Sequence, residues 1–242
     1  EFGLREVIIV GENSSEDGMK ESLGEAAARY LEYTIKDGNI VGVSMGSTLF
    51  EVVSHVVHPA AQKVTFVPLV GGVGRVRMEL HANSLAESLS RIYNGKFVPL
   101  HAPARVSSRN IRDELLKEDS LLPAIYLTQK LDIAVVGIGY PNEKSAIMAT
   151  GYFKENEIES LIDRKVAGEL CMQFYDIYGD TAPYKDDNNV IGMDISMLRS
   201  VPRSIGIAGG VEKLRAVRGA INGHYINTLI TDIECAEALI SE

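Results

Sequence analysis

An α/β fold with a doubly wound, mostly parallel sheet is what the 242-residue sequence predicts, on three observations. Its most apolar segments are short and apolar at consecutive positions, as in DIAVVGIG at 132–139. A strand of that kind needs cover on both faces, which a parallel sheet flanked by helices supplies. Stretches with helical spacing of apolar residues separate these segments, the alternation expected of βαβ units. Several of the strands then run directly into turns rich in glycine and serine, the small residues that let a backbone turn sharply.

In order along the chain, REVIIVG (5–11) reads as a short buried strand and residues 17–35 as a helix. NIVGVS (39–44) is the next strand, followed by a helix over 47–57. KVTFVPLV (63–70) is a strand, GGVG a turn, and 79–93 a helix. KFVPLH (96–101) reads as a further strand, with two short helical stretches between Arg109 and Lys130. After the strand at 132–139, helical spacing covers 155–170 and takes in the VAGELC stretch around Glu169. The polar run YGDTAPYKDDNN (178–189) predicts a protruding loop or small subdomain. RSIGIAGG (203–210) is strand and turn, 211–221 helix, NTLITD (227–232) strand, and the last ten residues helix. There is no internal repeat and no low-complexity segment.

Composition excludes several classes. A formal net charge of −9 and a pI near 5.2 repel a phosphate backbone, so direct nucleic-acid binding by this chain is not expected. Cys171 and Cys235 are far apart and form no CxxC pattern, which suits reduced thiols in a cytoplasm. No apolar run reaches the ~20 residues that span a bilayer, and no leader pattern opens the chain. Its abrupt start on a strand suits a piece of something longer. No metal is expected from the five histidines, which show no HxxxH or HxH spacing. His55 and His58 suit a solvated helix end. GxSxG, GxxxxGK[ST] and GxGxxG after a first strand are all missing, which argues against a nucleotide cofactor.

Open parallel sheets bind ligands outside the carboxyl ends of their strands, near helix N-termini. Four strand ends are candidates: MGST at 45–48, GGVG at 71–74, GIGYPN at 137–142 and AGGVEK at 208–213. Ser47 and Thr48 offer hydroxyls beside the N–H groups of a helix start, which suits a phosphate, although the same residues serve elsewhere as plain N-caps. Lys213 lies in the first turn after Gly209–Gly210, where a cation opposes the helix dipole and a bound anion would compensate it; a solvated surface lysine is the alternative. His81 opens a helix soon after the GGVG turn and could reach a ligand hydroxyl or be structural. Glu169 could accept hydrogen bonds from sugar hydroxyls or face solvent.

The order GVSMGSTLFEV, GGVG with HANSLAESL, VGIG, VAGE, IGMD and SIGIAGGVEKLRAVRGAINGHYINTLITD resembles the sugar-binding domain of SorC-type bacterial transcriptional regulators. These are grouped with the deoxyribonucleoside regulator and the central glycolytic gene regulator, and the likeness runs over nearly the whole chain. The resemblance implies an α/β fold similar to ribose-5-phosphate isomerase and glucosamine-6-phosphate deaminase. It implies a single effector-binding and oligomerisation domain over residues 1–242, with a helix-turn-helix lying N-terminal to it. It implies a non-enzymatic, cytoplasmic regulator without a cofactor. The partners it implies are a phosphorylated sugar, operator DNA reached only through that other domain, and further copies of the chain in a dimer or tetramer, with no membrane. Carried over by motif, Gly46, Ser47 and Thr48 hold phosphate, with Gly71 in the same ligand set, and Lys213 adds charge. His81 and Glu169 take the sugar-contact positions. Val70 stands where some members carry Arg or Lys, one cation fewer in the pocket. The rival reading is a sugar-phosphate isomerase or deaminase; the isomerase motifs DGADE and KGGGG and the deaminase's GxGxDGH are missing.

Overall fold

A computed structural model describes residues 2–13, 15–74, 77–142 and 150–241. Seven parallel strands form one sheet: β1 (Glu6–Val10), β2 (Ile40–Val43), β3 (Thr65–Pro68), β4 (Lys96–Phe97), β5 (Ile133–Gly137), β8 (Arg203–Ile207) and β9 (Thr228–Asp232). Their spatial order is β1-β9-β8-β5-β2-β3-β4, with Val41 beside Ile133 where β2 meets β5 and Ile133 beside Arg203 where β5 meets β8. Among the described residues, eight α-helices accompany the strands: α1 (Glu16–Thr34), α2 (Ser47–His55), α3 (Ala82–Ile92), α4 (Arg109–Leu115), α5 (Leu122–Thr128), α6 (Glu155–Asp163), α7 (Leu214–Asn222) and α8 (Ile233–Ser241).

The consecutive apolar residues of the strands divide between two cores, one on each face of the sheet. In β5, Ile133 and Val135 join the core that holds α1, α2 and α3. Ala134 and Val136, between them, join the opposite core with parts of α5, α6, α7 and α8. Phe66 and Val67 of β3 divide in the same way. From β2 the chain proceeds outward through β3 to β4, then returns and proceeds outward the other way through β5, β8 and β9. The direction of winding therefore reverses between β2 and β5, and in open α/β sheets a crevice opens above such a point.

Four expectations need correction. REVIIVG is a strand at Glu6–Val10 but not a buried one, since within the described sheet it has a single neighbour, β9, and its Glu6, Val7 and Ile9 side chains are exposed. KFVPLH is strand only at Lys96–Phe97; Pro99 soon after lacks an N–H for the ladder. Glu169 is not in a helix, since α6 stops at Asp163 and Lys165 has φ of 59°. Gly168–Leu170 instead forms β6, paired antiparallel with β7 (Gln173–Tyr175). The connection is a two-residue turn in which Cys171 and Met172 both have positive φ, 51° and 63°. That is the geometry of a type I′ hairpin built without the usual Asn-Gly. The polar run at 178–189 does not protrude as a unit. Tyr178 is exposed, but Tyr184 is fully buried, and the Asn188 side chain accepts a hydrogen bond of 2.9 Å from the Phe174 N–H.

Candidate functional site

A cavity of about 400 Å³ opens above the carboxyl ends of β2, β5 and β8, three neighbours at the point of reversal. Its walls come from five separate stretches: the first turns of α1, the Met45–Leu49 turn, Gly137–Gly139 with Asn142, Glu169, and Ile207–Gly209 with Glu212 and Lys213.

The first wall is the β2–α2 turn. Gly46 has φ of 126°, backbone that a side chain resists, and its N–H donates to the Leu80 carbonyl at 3.1 Å. This fixes the direction in which α2 leaves the sheet. The opening residues Ser47 and Thr48 then lie half-buried on the cavity. The first N–H groups of an α-helix have no partner within it. Gly46, the residue before Ser47, has no side chain to cap them. Among the described residues, the Ser47 and Thr48 hydroxyls carry no hydrogen bond either. The helix dipole adds partial positive charge at the same place.

The second wall is the turn after β8. The Gly210 N–H, at φ of 93°, donates to Asp232 Oδ2 at 3.0 Å, while Asp232 Oδ1 accepts from the Cys235 N–H at 2.9 Å. The buried Asp232 thus anchors the turn to the start of α8, and the 3₁₀ turn Val211–Lys213 follows. It carries Lys213 to the cavity, half-buried. Burial pulls the Lys213 ammonium below its ordinary 10.5, against the opposing pull of Glu169, Glu212 and Glu16.

Glu169 lies in β6, which is bridged to the end of β5. The Glu169 N–H donates to the Gly139 carbonyl at 2.8 Å, and the Gly139 N–H to the Glu169 carbonyl at 3.0 Å. A Cβ on residue 139 would collide with the Glu169 carboxylate, so glycine is what admits that side chain. The Met172 N–H, presented by the strained hairpin turn, donates to Glu169 Oε2 at 2.9 Å. Burial raises the Glu169 pKa above its ordinary 4.5, and the Met172 N–H and Lys213 oppose that rise. A void of about 40 Å³ adjoins the cavity here, lined in part by Thr150, Cys171 and Met172. The Cys171 thiol is pushed up to about 12 by burial and by Glu169, so it stays protonated at neutral pH.

Of the seven sequence-predicted site residues, Gly46, Ser47, Thr48, Glu169 and Lys213 line this one cavity. Gly71 and His81 do not. Gly71 is buried, its N–H donates to the Ile191 carbonyl at 2.9 Å, and a Cβ there would meet the Ala102 and Pro103 carbonyl oxygens at 2.5 and 2.7 Å. Val70 beside it is fully buried and bridged to Gly192. His81 precedes α3, one residue from the Leu80 carbonyl that holds Gly46. Sequence reasoning missed Glu16 and Lys20 on α1, Glu212, and Asn142, all at the cavity. Asn142 stood within the quoted GIGYPN turn, and Glu212 within AGGVEK. Glu16 and Lys20 carried no signal beyond an ordinary i, i+4 charge pair. Among the described residues no group of three His, Cys, Asp or Glu side chains could hold a metal ion, and no helix is long and apolar enough to cross a membrane.

The cavity can hold an anion at its α2 side and accept hydroxyl hydrogen bonds at Glu169, a division suited to a ligand with one charged end and one polar end. Comparison with known proteins identifies the family. The family described as "Putative sugar-binding domain" matches residues 1–241. The chain is 27% identical over 244 residues to the deoxyribonucleoside regulator of Bacillus subtilis (strain 168), covering 100% of this chain and 77% of that protein. It is 29% identical over 246 residues to the sorbitol operon regulator of Klebsiella pneumoniae, covering 99% of this chain and 77% of that protein. The crystal structure of the full-length sorbitol operon regulator SorC from Klebsiella pneumoniae superposes with a TM-score of 0.88 at 28% identity, over 99% of this chain and 77% of that one. By sequence and by fold, the chain belongs to the sugar-binding domain family of SorC-type bacterial transcriptional regulators.

Proposed function

We propose that residues 1–242 form the effector-binding domain of a transcriptional regulator and that the effector is a phosphorylated sugar. The observation that carries this reading is the start of α2: two hydroxyls without partners among the described residues and the first-turn N–H groups, facing a cavity that also holds Lys213. Phosphate needs several donors and a positive field converging on one point, and this arrangement supplies both. Glu169, at 2.9 Å from the Met172 N–H, keeps a second oxygen for a sugar hydroxyl. Ligand binding would change how copies of the chain assemble, and through that the hold of a separate DNA-binding segment on its operator. The names of two relatives, a deoxyribonucleoside regulator and a sorbitol operon regulator, support that output.

Thermal unfolding against a panel of sugar monophosphates, sugar bisphosphates and free sugars tests the reading. A ligand at 100 times its dissociation constant adds about 2.7 kcal/mol of stability, a midpoint rise of roughly 5–10 °C for a domain of this size. A rise with a phosphorylated sugar but not with its free form is expected. No rise with any phosphate would remove the phosphate assignment.

One observation favours a second reading. Burial raises Glu169 and lowers Lys213 in a single cavity, and a carboxyl and an ammonium both displaced toward neutrality suit acid–base chemistry on a sugar phosphate. Turnover that scales with protein and disappears in Glu169→Gln would replace the regulatory reading with an isomerase or deaminase.

A further inference from the structure

The α1 wall of the cavity presents charge that the phosphate reading does not yet use. Glu16, Met19, Lys20 and Leu23 all line it. Their position is set by close packing: Gly209 has no Cβ, and one built there would meet Met19 Sδ at 2.7 Å and Leu23 Cδ1 at 2.9 Å. The first turns of α1 therefore rest directly on the turn that carries Lys213. Lys20 Nζ is 2.6 Å from Glu16 Oε1, one helical turn away. The two ends of this pair differ in burial. The Lys20 side chain is 25% exposed and that of Glu16 72%, so the cation is turned into the cavity and the anion toward solvent.

Glu16 also feels Lys213: its carboxyl is held below the ordinary 4.5 chiefly by Lys20 and to a smaller degree by Lys213. Lys213 in turn is depressed in part by Lys20. Lys20 and Lys213 line the same cavity, with Glu16 paired to Lys20 at 2.6 Å between the cavity and solvent. Glu169 and Glu212 also favour the charged form of Lys213.

We propose that Lys20 is a second cation for the phosphate of the ligand, held by Glu16 while the cavity is free of anion, and that Glu16 yields Lys20 when a dianion enters beside Lys213. The inference rests on the phosphate reading and deepens it. The cavity would select dianionic esters over monoanions, because a dianion can satisfy both lysines at once. An i, i+4 pair at a helix surface is weakly held, so the exchange costs little. A charge-assisted hydrogen bond to phosphate is considerably stronger.

The test is calorimetric titration of the chain with inorganic phosphate at constant ionic strength, beside the panel of phosphorylated sugars. Lys20→Met should weaken phosphate binding about tenfold, the loss of one charge-assisted contact. Glu16→Gln should tighten it by about two- to fivefold, the release of a competing surface ion pair. In the double variant the gain from Glu16→Gln should vanish, since its effect is transmitted through Lys20. Lys117→Met, at an exposed lysine paired with Glu114, changes the net charge equally and should leave binding within about twofold. Phosphate binding in the unaltered chain that survives Lys20→Met undiminished overturns this inference and leaves the phosphate reading standing. A loss no larger than that in Lys117→Met overturns it as well, by assigning the effect to net charge. If neither inorganic phosphate nor any phosphorylated sugar binds the unaltered chain, both fall together.

Discussion

Two glycine turns follow neighbouring strands at the carboxyl edge of the sheet, and among the described residues MGST lines the cavity of about 400 Å³ while GGVG does not. MGST, after β2, borders the crevice between β2 and β5 and leaves two hydroxyls and a helix start open to it. GGVG, after β3, lies one strand further out and is closed by its own surroundings. Ile191 accepts the Gly71 N–H, and the Ala102 and Pro103 carbonyls fill the space where a side chain would go. In sequence the two turns look alike. What separates them is their distance from the point where the winding of the sheet reverses, since a crevice opens there and neighbouring loops pack elsewhere.

Substitutions sharpen that contrast. The largest effect is expected from Gly71→Ala, which sets a methyl group against two backbone carbonyls that cannot rotate away. Overpacking of that kind costs about 2–3 kcal/mol, a midpoint drop of roughly 4–12 °C in the ligand-free chain. Next is Thr48→Val, expected to leave the ligand-free midpoint nearly unchanged while weakening phosphate-ester binding by about 1–3 kcal/mol. Calorimetry and scanning fluorimetry on the same pair of variants would separate a packing turn from a binding turn. Equal loss of stability in both would erase the distinction.

A smaller effect concerns Glu169. Its proton is held above the ordinary 4.5 in the folded chain. As pH rises past 4.5 the unfolded chain binds fewer protons than the folded one, so this residue's contribution to stability falls until the folded group also ionises. Glu169→Gln should therefore unfold at a higher temperature than the unaltered chain at pH 8, with the advantage shrinking toward pH 4.5. A pH-independent difference would mean that burial does not displace this carboxyl. The least effect is expected from His81→Ala on phosphate-ester affinity, a change within about twofold, because His81 stands behind the turn and not on the cavity. A tenfold loss would return His81 to the site.

The central strands of the main sheet were legible because short apolar runs bounded by glycine turns suit a sheet covered on both faces; Ile133 to Val136 divide between the two cores in strict alternation. MGST and Lys213 were legible because small residues at a helix start leave a local trace. The β6–β7 hairpin was not. Its strands have three residues each, too few to display a period, and its turn uses Cys171 and Met172 where Asn-Gly would have announced it. Hence Glu169 was read as helical, although its convergence with the other cavity residues does not depend on that reading. Lys20 was invisible for another reason. Its place at the cavity follows from how α1 rests on Gly209, a contact between residues far apart in the chain.

The pairing of β1 bears on how such a chain is made. Within the described sheet β1 has one neighbour, β9, with Glu6 beside Thr228. Its Val7 and Ile9 side chains remain exposed even in the finished fold. On a ribosome β1 must wait for roughly 220 further residues, about 10–40 s at 5–20 residues per second, before its partner exists. Throughout that interval an apolar strand with an unpaired edge is presented to whatever is nearby. The nascent chain should therefore engage chaperones through the Glu6–Val10 segment until β9 has been made.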